Sequence, residues 1–263
     1  MLVSRRAGTL TAFGNAALLG VGGLDEAADA VTGADALHRV VGLPGEPDAV
    51  SVALALGRLR TLGVTGLRLV LPEPGDLVGV PGPPAFSGRA LAAGSAVLTV
   101  ASPDVPSLAL VPTAAASERG DVVRWDVVPV DFSPAPNGLP TLSEAERALA
   151  EGMRDATEAL DVLDVAKGRD DVAGALARLD RELRTLPLPA SLEARAQRTV
   201  VSASRLVGIL QVAADVESAA VTAAESARRA EAIRPLRRVA RHALCAAWSA
   251  ALEPTHGRGA AAR

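Results

Sequence analysis

Apolar positions change rhythm along this chain. Up to about residue 130 they fall in short runs separated by glycine and proline, several alternating with period two. From about residue 141 they recur every three or four positions, the spacing of one helix face. In the first part, Leu10 to Leu19 reads as a strand or strand pair with Gly14-Asn15 at a turn, and Gly20 to Gly23 reads as a second turn. Leu24 to Val31 has helical spacing, with Asp25, Glu26 and Asp29 near the end that favours negative charge. Leu37 to Leu43 is a strand, broken by Pro44-Gly45-Glu46-Pro47. Asp48 is then placed to cap a helix that runs through Leu62 and puts Val52, Leu56, Leu59 and Leu62 on one side. Leu67 to Leu71 is the next strand.

Pro72 to Gly88 is dense in proline and glycine and reads as a long loop or hairpin around Leu77 to Val80. Ala96 to Ala101, Leu108 to Val111 and Val122 to Val130 follow as strands. In the last, Val123, Trp125 and Val127 alternate with Arg124 and Asp126, which predicts one dry and one wet face. The order of elements predicts an α+β fold with a mixed or antiparallel sheet.

The second part predicts an all-α bundle of four to five helices. Ser143 and Glu146 match a capping box, ahead of a stripe formed by Leu149, Met153, Ala156 and Leu160. Asp170-Asp171 opens a helix with Val172, Leu176, Leu179 and Leu183 inward, ended by Pro187 and Pro189. A longer helix from Ser191 to about Val216 places Ala196, Val200, Ala203, Val207 and Leu210 inward, and a last stretch, Ser218 to Leu252, should kink before Pro235. The expected division is an α+β domain over 1–130, a proline-rich linker over 131–140, the helical bundle over 141–254 and a disordered tail over 255–263, with a separate core in each half.

Composition narrows the function classes. With two Trp, three Phe and no Tyr, the core must be built from Leu, Val and Ala. Lys167 is the lone lysine, and the Ala, Gly, Val and Arg richness is that of high-GC bacterial coding sequence. A net charge of −3 disfavours a nucleic-acid binder, and no uncharged apolar run reaches membrane-spanning length. The single cysteine, Cys245, excludes an internal disulfide framework and points to the reducing cytoplasm. Ser4-Arg5-Arg6 before an apolar run loosely resembles a twin-arginine export signal, but Ala7-Gly8-Thr9 stand where apolar residues belong, so retention in the cytoplasm is the expectation.

Candidate chemistry is thin. Gly20-Val21-Gly22-Gly23 before a helix has the setting of a dinucleotide loop, but Asp25 replaces the third glycine and would repel a phosphate. Ala156 to Pro187 loosely follows one tetratricopeptide unit; Leu163, Ala166 and Glu182 depart from it and no second copy exists, leaving a helical hairpin. His38, His242 and His256 have no ligand spacing, and Cys245 lacks a mate, so no metal, cofactor or catalytic residue is assigned. Cys245 is expected to be a buried small hydrophobe. Glu158, Asp161 and Asp164 read as a solvated face.

One charged pattern stands out. Arg234, Arg237, Arg238 and Arg241 share a helix face. Either they pair with the acid-rich first half of the bundle or stay a solvated face, or they form a face for an anionic partner; internal pairing or a solvated face is the expectation. No specific function is readable; the expected role is non-enzymatic, either contact with a protein partner or a second copy of the chain or a structural or regulatory role. The alternative is an enzyme or small-ligand binder with a pocket in the N-terminal domain under the 72–88 loop.

Overall fold

A computed structural model describes residues 2–131, 138–155, 170–217 and 223–252. The protein is mixed α+β, and its described residues form one five-stranded sheet and eight α-helices. In chain order these are α1 (Leu2–Leu18), α2 (Leu24–Thr32), β1 (Leu37–Val41), α3 (Val52–Thr61), β2 (Val64–Val70), α4 (Pro84–Ala93), β3 (Ala96–Ala101), β4 (Leu108–Ala115) and β5 (Val122–Pro129). The helices α5 (Leu142–Asp155), α6 (Asp170–Arg184), α7 (Ala194–Glu217) and α8 (Ala223–Trp248) follow, with a final 3₁₀ turn at Ala250–Leu252. The strand order is β1-β5-β4-β3-β2. β1 runs parallel to β5, and every other neighbouring pair is antiparallel.

Alternation along the strands sorts their side chains into two apolar layers. Leu67, Leu69, Val97, Leu110, Val123 and Trp125 face the larger one, shared with α1, α2, α3 and α8. Val70, Leu98, Ala109 and Val111 face the smaller one, covered by Phe86 and Ala90 of α4. The expected dry face of β5 is therefore observed. The expectation of separate cores is not met. The larger layer continues without interruption through Leu142, Leu149, Ala196, Val200, Leu236 and Trp248, so the N-terminal sheet and the C-terminal helices share one core.

The element over Leu10 to Leu19 is a correction: it belongs to helix α1, not to strands. Every residue from Arg6 to Ala17 is buried. A helix enclosed on all sides has no polar stripe, so the 3.6-residue signature is missing from its sequence. Gly14, read as a turn, is instead a contact point; a Cβ there would meet Leu67 Cδ1 at 2.5 Å. Gly8 serves α1 in the same way against the Trp248 indole. Helix α4 was hidden inside the Pro/Gly-rich segment, where Pro84 occupies the first turn that tolerates it.

Two caps shift register. Ser51, not Asp48, caps α3, its hydroxyl accepting the Leu54 N–H at 3.2 Å. The capping box of α5 is Thr141 with Glu144, not Ser143 with Glu146; Glu144 accepts from the Thr141 N–H at 2.9 Å. Glu146 instead reaches α7, accepting from Arg195 and from the Thr199 hydroxyl. The inward sets of α6 and α7 hold in part: Leu179, Leu183, Ala196, Val200, Ala203 and Leu210 are buried. Met153 is exposed, and Ala156 and Leu160 lie outside the described residues. Pro235 sits inside α8 without ending it.

Candidate functional site

The four arginines of α8 do not share one fate. Arg241 is buried and forms ion pairs with both Glu73 and Asp76. Arg237 donates to Glu73 Oε1 at 3.3 Å, Arg238 lies 3.7 Å from Asp76, and His242 Nε2 is 3.1 Å from the same carboxylate. Arg234 is exposed and pairs with Glu231 one turn earlier. The expected internal pairing occurs for Arg237, Arg238 and Arg241, and among the described residues its acids come from the loop between β2 and α4 and not from the first half of the helical region. Glu73-Pro74-Gly75-Asp76 forms a tight turn in which Glu73 and Asp76 exchange backbone hydrogen bonds at 3.0 and 2.8 Å. Pro74 and a left-handed Gly75 (φ +82°) suit its two central positions. Both carboxylates thus sit side by side. The sequence shows a Pro/Gly-rich loop over Pro72 to Gly88, but neither this turn nor the surface its acids face, over 150 residues away.

Burial of such a cluster is tolerable only because each charge is matched. The match is not complete, since the buried Nε of Arg241 has no hydrogen-bond partner. One turn further on, Cys245 is fully enclosed, and burial pushes its thiol up to about 12. It is a packed thiol with almost no thiolate at neutral pH, as expected of a small hydrophobe.

A second polar network joins α1 to the sheet. The Arg6 guanidinium donates from Nε and Nη2 to the two oxygens of Asp35, at 2.7 and 2.6 Å, and from Nη2 to Asp121 at 2.6 Å. These bonds, that to Asp35 first, raise Arg6 above its usual range. Burial alone would raise Asp35, but hydrogen bonds from Arg6 and His38 outweigh it and hold the carboxyl below its usual value. His38 Nε2 is 2.9 Å from Asp35, and its Nδ1 lies 3.1 Å from Trp125 Nε1. An indole N–H only donates, so Nδ1 must accept and the ring proton resides on Nε2. Both ring nitrogens are committed, which leaves none to serve as a base. None of these residues was singled out in the sequence as a network. Arg6 had drawn attention only as part of a loose export signal; here it is a buried structural cation.

Burial lowers the pKa of both His38 and His242 against the opposing pull of their carboxylates. The neutral form is thus favoured in the fold. Their contribution to stability is complete above the unfolded value near 6.5 and is lost as pH falls through the folded values. Asp35, depressed in the fold, contributes above its unfolded value and is lost in a lower window. Urea unfolding is expected to show stability declining from pH 7 to pH 5, with a shallower slope in His38→Asn. An unchanged slope would remove His38 from that account.

The remaining sequence leads resolve as follows. Gly20 to Gly23 joins two helices; the N–H groups of Val21 and Gly22 return to the Ala16 carbonyl as a helix C-terminus does. A dinucleotide loop requires a strand before it, so that reading is overturned. Residues 156–169 of the single tetratricopeptide-like unit, the Glu158, Asp161 and Asp164 group within them, and His256 lie outside the described residues; the rest of the unit is α6 and the segment after it, with Leu179 buried. Among the described residues, no group of three or more His, Cys, Asp or Glu is arranged to hold a metal ion, and no helix is long and apolar enough to cross a membrane.

Clefts open to solvent occur beside the loop and beside β4. One, of about 490 Å³, lies between the loop and α4 and is lined by Leu77, Val80, Pro81 and Leu91 among others. Its one polar side chain is Ser87, whose hydroxyl donates to the Pro81 carbonyl at 3.2 Å. The other, of about 500 Å³, lies beside β4 and is flanked by Arg6 and Arg89.

Comparison with known proteins places the chain. Residues 7–142 match the family described as Rv1486c-like protein, N-terminal domain, and residues 143–245 match the corresponding C-terminal domain. The chain belongs to the Rv1486c-like family. Its relatives include two Mycobacterium tuberculosis proteins, "Uncharacterized protein Rv1486c" of strain H37Rv and "Uncharacterized protein MT1533" of strain CDC 1551. Each is 30% identical over an alignment covering 93% of this chain and 96% of the relative. No solved structure matches. The family descriptions and the relatives' names assign no activity, so functional argument returns to the residues. The family boundary at 142/143 falls at the start of α5, where the chain leaves the sheet region.

Proposed function

We propose that this chain is a non-enzymatic cytoplasmic protein that acts by contacting another protein. One observation carries the reading: the side chains best suited to chemistry are spent on holding the fold. Both His38 nitrogens are engaged, His242 sits against Asp76, and the Cys245 thiol is enclosed. The loop that could have roofed a pocket is instead clasped to α8 through Glu73 and Asp76, and the groove beside it offers no converging polar groups. The fold thus behaves as a scaffold in which the helices of the C-terminal region brace the sheet.

The test is the size and composition of the native assembly. Tagged protein at native level in the cells that make it should elute from a sizing column well above its own 26.7 kDa and with a second polypeptide at fixed stoichiometry. Elution at its own mass, together with consumption of a small metabolite when the pure protein is incubated with cell extract filtrate, would replace this reading with an enzymatic one.

A second reading rests on Arg234 and Arg238, whose side chains remain half-exposed despite their neighbouring acids. They would form a reduced anionic-partner face, since Arg241 is enclosed. Loss of that same assembly in Arg234→Gln/Arg238→Gln, with melting temperature unchanged, is the outcome this reading requires.

A further inference from the structure

The cleft flanked by Arg6 and Arg89 has an unusual floor: the four consecutive β4 residues Val111, Pro112, Thr113 and Ala114. Side chains of consecutive strand residues point to opposite faces. A cleft that touches all four therefore runs along the edge of the strand, not across a face. The register explains why an edge exists there. Val97 of β3 pairs with Leu110 and β3 begins at Ala96, so β4 runs on past the end of β3 while its other side stays paired with β5 through Ala115↔Val122.

Parity tells which backbone groups face the opening. The Val130 N–H donates to the Ser107 carbonyl at 3.0 Å, so odd-numbered β4 residues turn to β5. Leu108 turns the other way, its N–H and C=O both bonded to the Thr99 hydroxyl, at 2.9 and 3.2 Å. By that alternation the carbonyl of Pro112, itself a buried residue, and both groups of the exposed Ala114 turn towards the cleft. Several outward groups at the sheet's outer strands are covered. Asn15 bonds the outward groups of Leu67, the Ser249 hydroxyl accepts from Leu69 N–H, and Val50 exchanges two bonds with Val40 of β1. Among the described residues nothing covers Pro112 and Ala114 in this way.

We propose that this open edge receives an extended acidic segment of a partner protein as an added strand. The inference rests on the protein-contacting reading above and names its surface. One N–H and two carbonyls give a short ladder, and alternate side chains of the segment would meet the cleft walls. Charge selects the occupant. The Arg89 side chain is half-exposed and only 3.3 Å from its carboxylate, Asp126, and the Nη1 of Arg6 has no partner among the described residues. The cleft lining holds these two arginines and no acid, so carboxylates on the incoming strand meet the half-exposed Arg89 and the Nη1 edge of Arg6, whose Nε and Nη2 serve Asp35 and Asp121. A second copy docking edge to edge about a two-fold axis would instead set Arg6 and Arg89 against their own counterparts, a like-charge arrangement.

The experiment is an NMR titration of the ¹⁵N-labelled full chain with three capped hexapeptides. One alternates glutamate and valine, one alternates lysine and valine, and the third is the acidic peptide N-methylated at alternate residues. Amide shifts centred on Val111–Ala115 are expected with the first, and binding weaker by at least about tenfold with the other two. Ala114→Pro removes the cleft-facing N–H but leaves the bonds of Thr113 and Ala115 to β5, and it should abolish the response. Arg89→Glu should shift preference to the lysine peptide. Should Ala114→Pro not fold, hydrogen exchange on the unmodified chain serves in its place: the Ala114 amide should exchange faster than those of Thr113 and Ala115, and slow when the acidic peptide is added. Equal binding of the methylated peptide, shifts centred elsewhere, or concentration-dependent dimerisation through this edge would overturn the proposal. A native assembly that survives Ala114→Pro would also overturn it while leaving the protein-contacting role intact.

Discussion

Asn15→Leu is expected to destabilise the protein by about 4 kcal/mol, although the two side chains are similar in size. Asn15 is fully buried in α1, and its amide makes two bonds to one residue of the outermost strand. Its Nδ2 donates to the Leu67 carbonyl at 2.9 Å, and its Oδ1 accepts the Leu67 N–H at 2.6 Å. The side chain takes the place of a missing sixth strand at that point. Leucine would leave a buried N–H and a buried C=O without partners, at roughly 1–3 kcal/mol each. Thermal unfolding should show a melting temperature lower by about 10 °C. Asn15→Asp separates hydrogen bonding from shape. An ionised carboxylate keeps the acceptor but opposes the Leu67 carbonyl, whereas a protonated one restores the donor. Its deficit relative to the unmodified chain should therefore shrink as pH falls towards 4. A deficit under about 1 kcal/mol for Asn15→Leu would mean that water, not Asn15, satisfies this edge.

Arg241→Met is the second large effect. Asp76 is only 7% exposed, and removing Arg241 leaves it with Arg238 at 3.7 Å and His242 at 3.1 Å. Stranding a buried carboxylate costs about 3 kcal/mol. Arg234→Met, on the same helix face but exposed, should change stability by less than about 0.5 kcal/mol. The contrast is the informative quantity, because sequence alone gives the four arginines equal weight and a loss under about 1 kcal/mol for each. Asp76→Leu combined with Arg241→Met should recover much of the loss, since the pair is then removed together. Chemical denaturation of the four proteins measures all of this. Equal effects at 234 and 241 would contradict the burial of the Glu73–Asp76 clasp.

The arginine face shows how far pattern reading reaches. Spacing put Arg234, Arg237, Arg238 and Arg241 on one face, and the count of nearby acids favoured internal pairing. Both inferences are local, and the face is real. The partners, Glu73 and Asp76, come from a loop more than 150 residues earlier, and no local pattern encodes that meeting. The network of Arg6, Asp35, His38 and Trp125 was equally hidden. Its members lie on α1, before β1, on β1 and on β5, and each looks unremarkable beside its sequence neighbours. The one available signal was a lone histidine in the apolar strand Leu37 to Leu43, which required a buried partner.

By itself, the sequence determined the elements whose one side is dry and whose other side is wet. The alternation of β5, the amphipathic α2 and α3, and most of the inward positions of α7 follow from local period and backbone chemistry. Tertiary structure alone decided the rest. It made α1 a helix, because an element buried on every side loses the polar stripe that would announce it. It merged the two halves into one core, because apolar residues record that they are buried but not against what. Among the described residues it let β4 run on past the end of β3, because where a strand outruns its neighbour depends on register between distant segments, and register is a property of the assembled sheet.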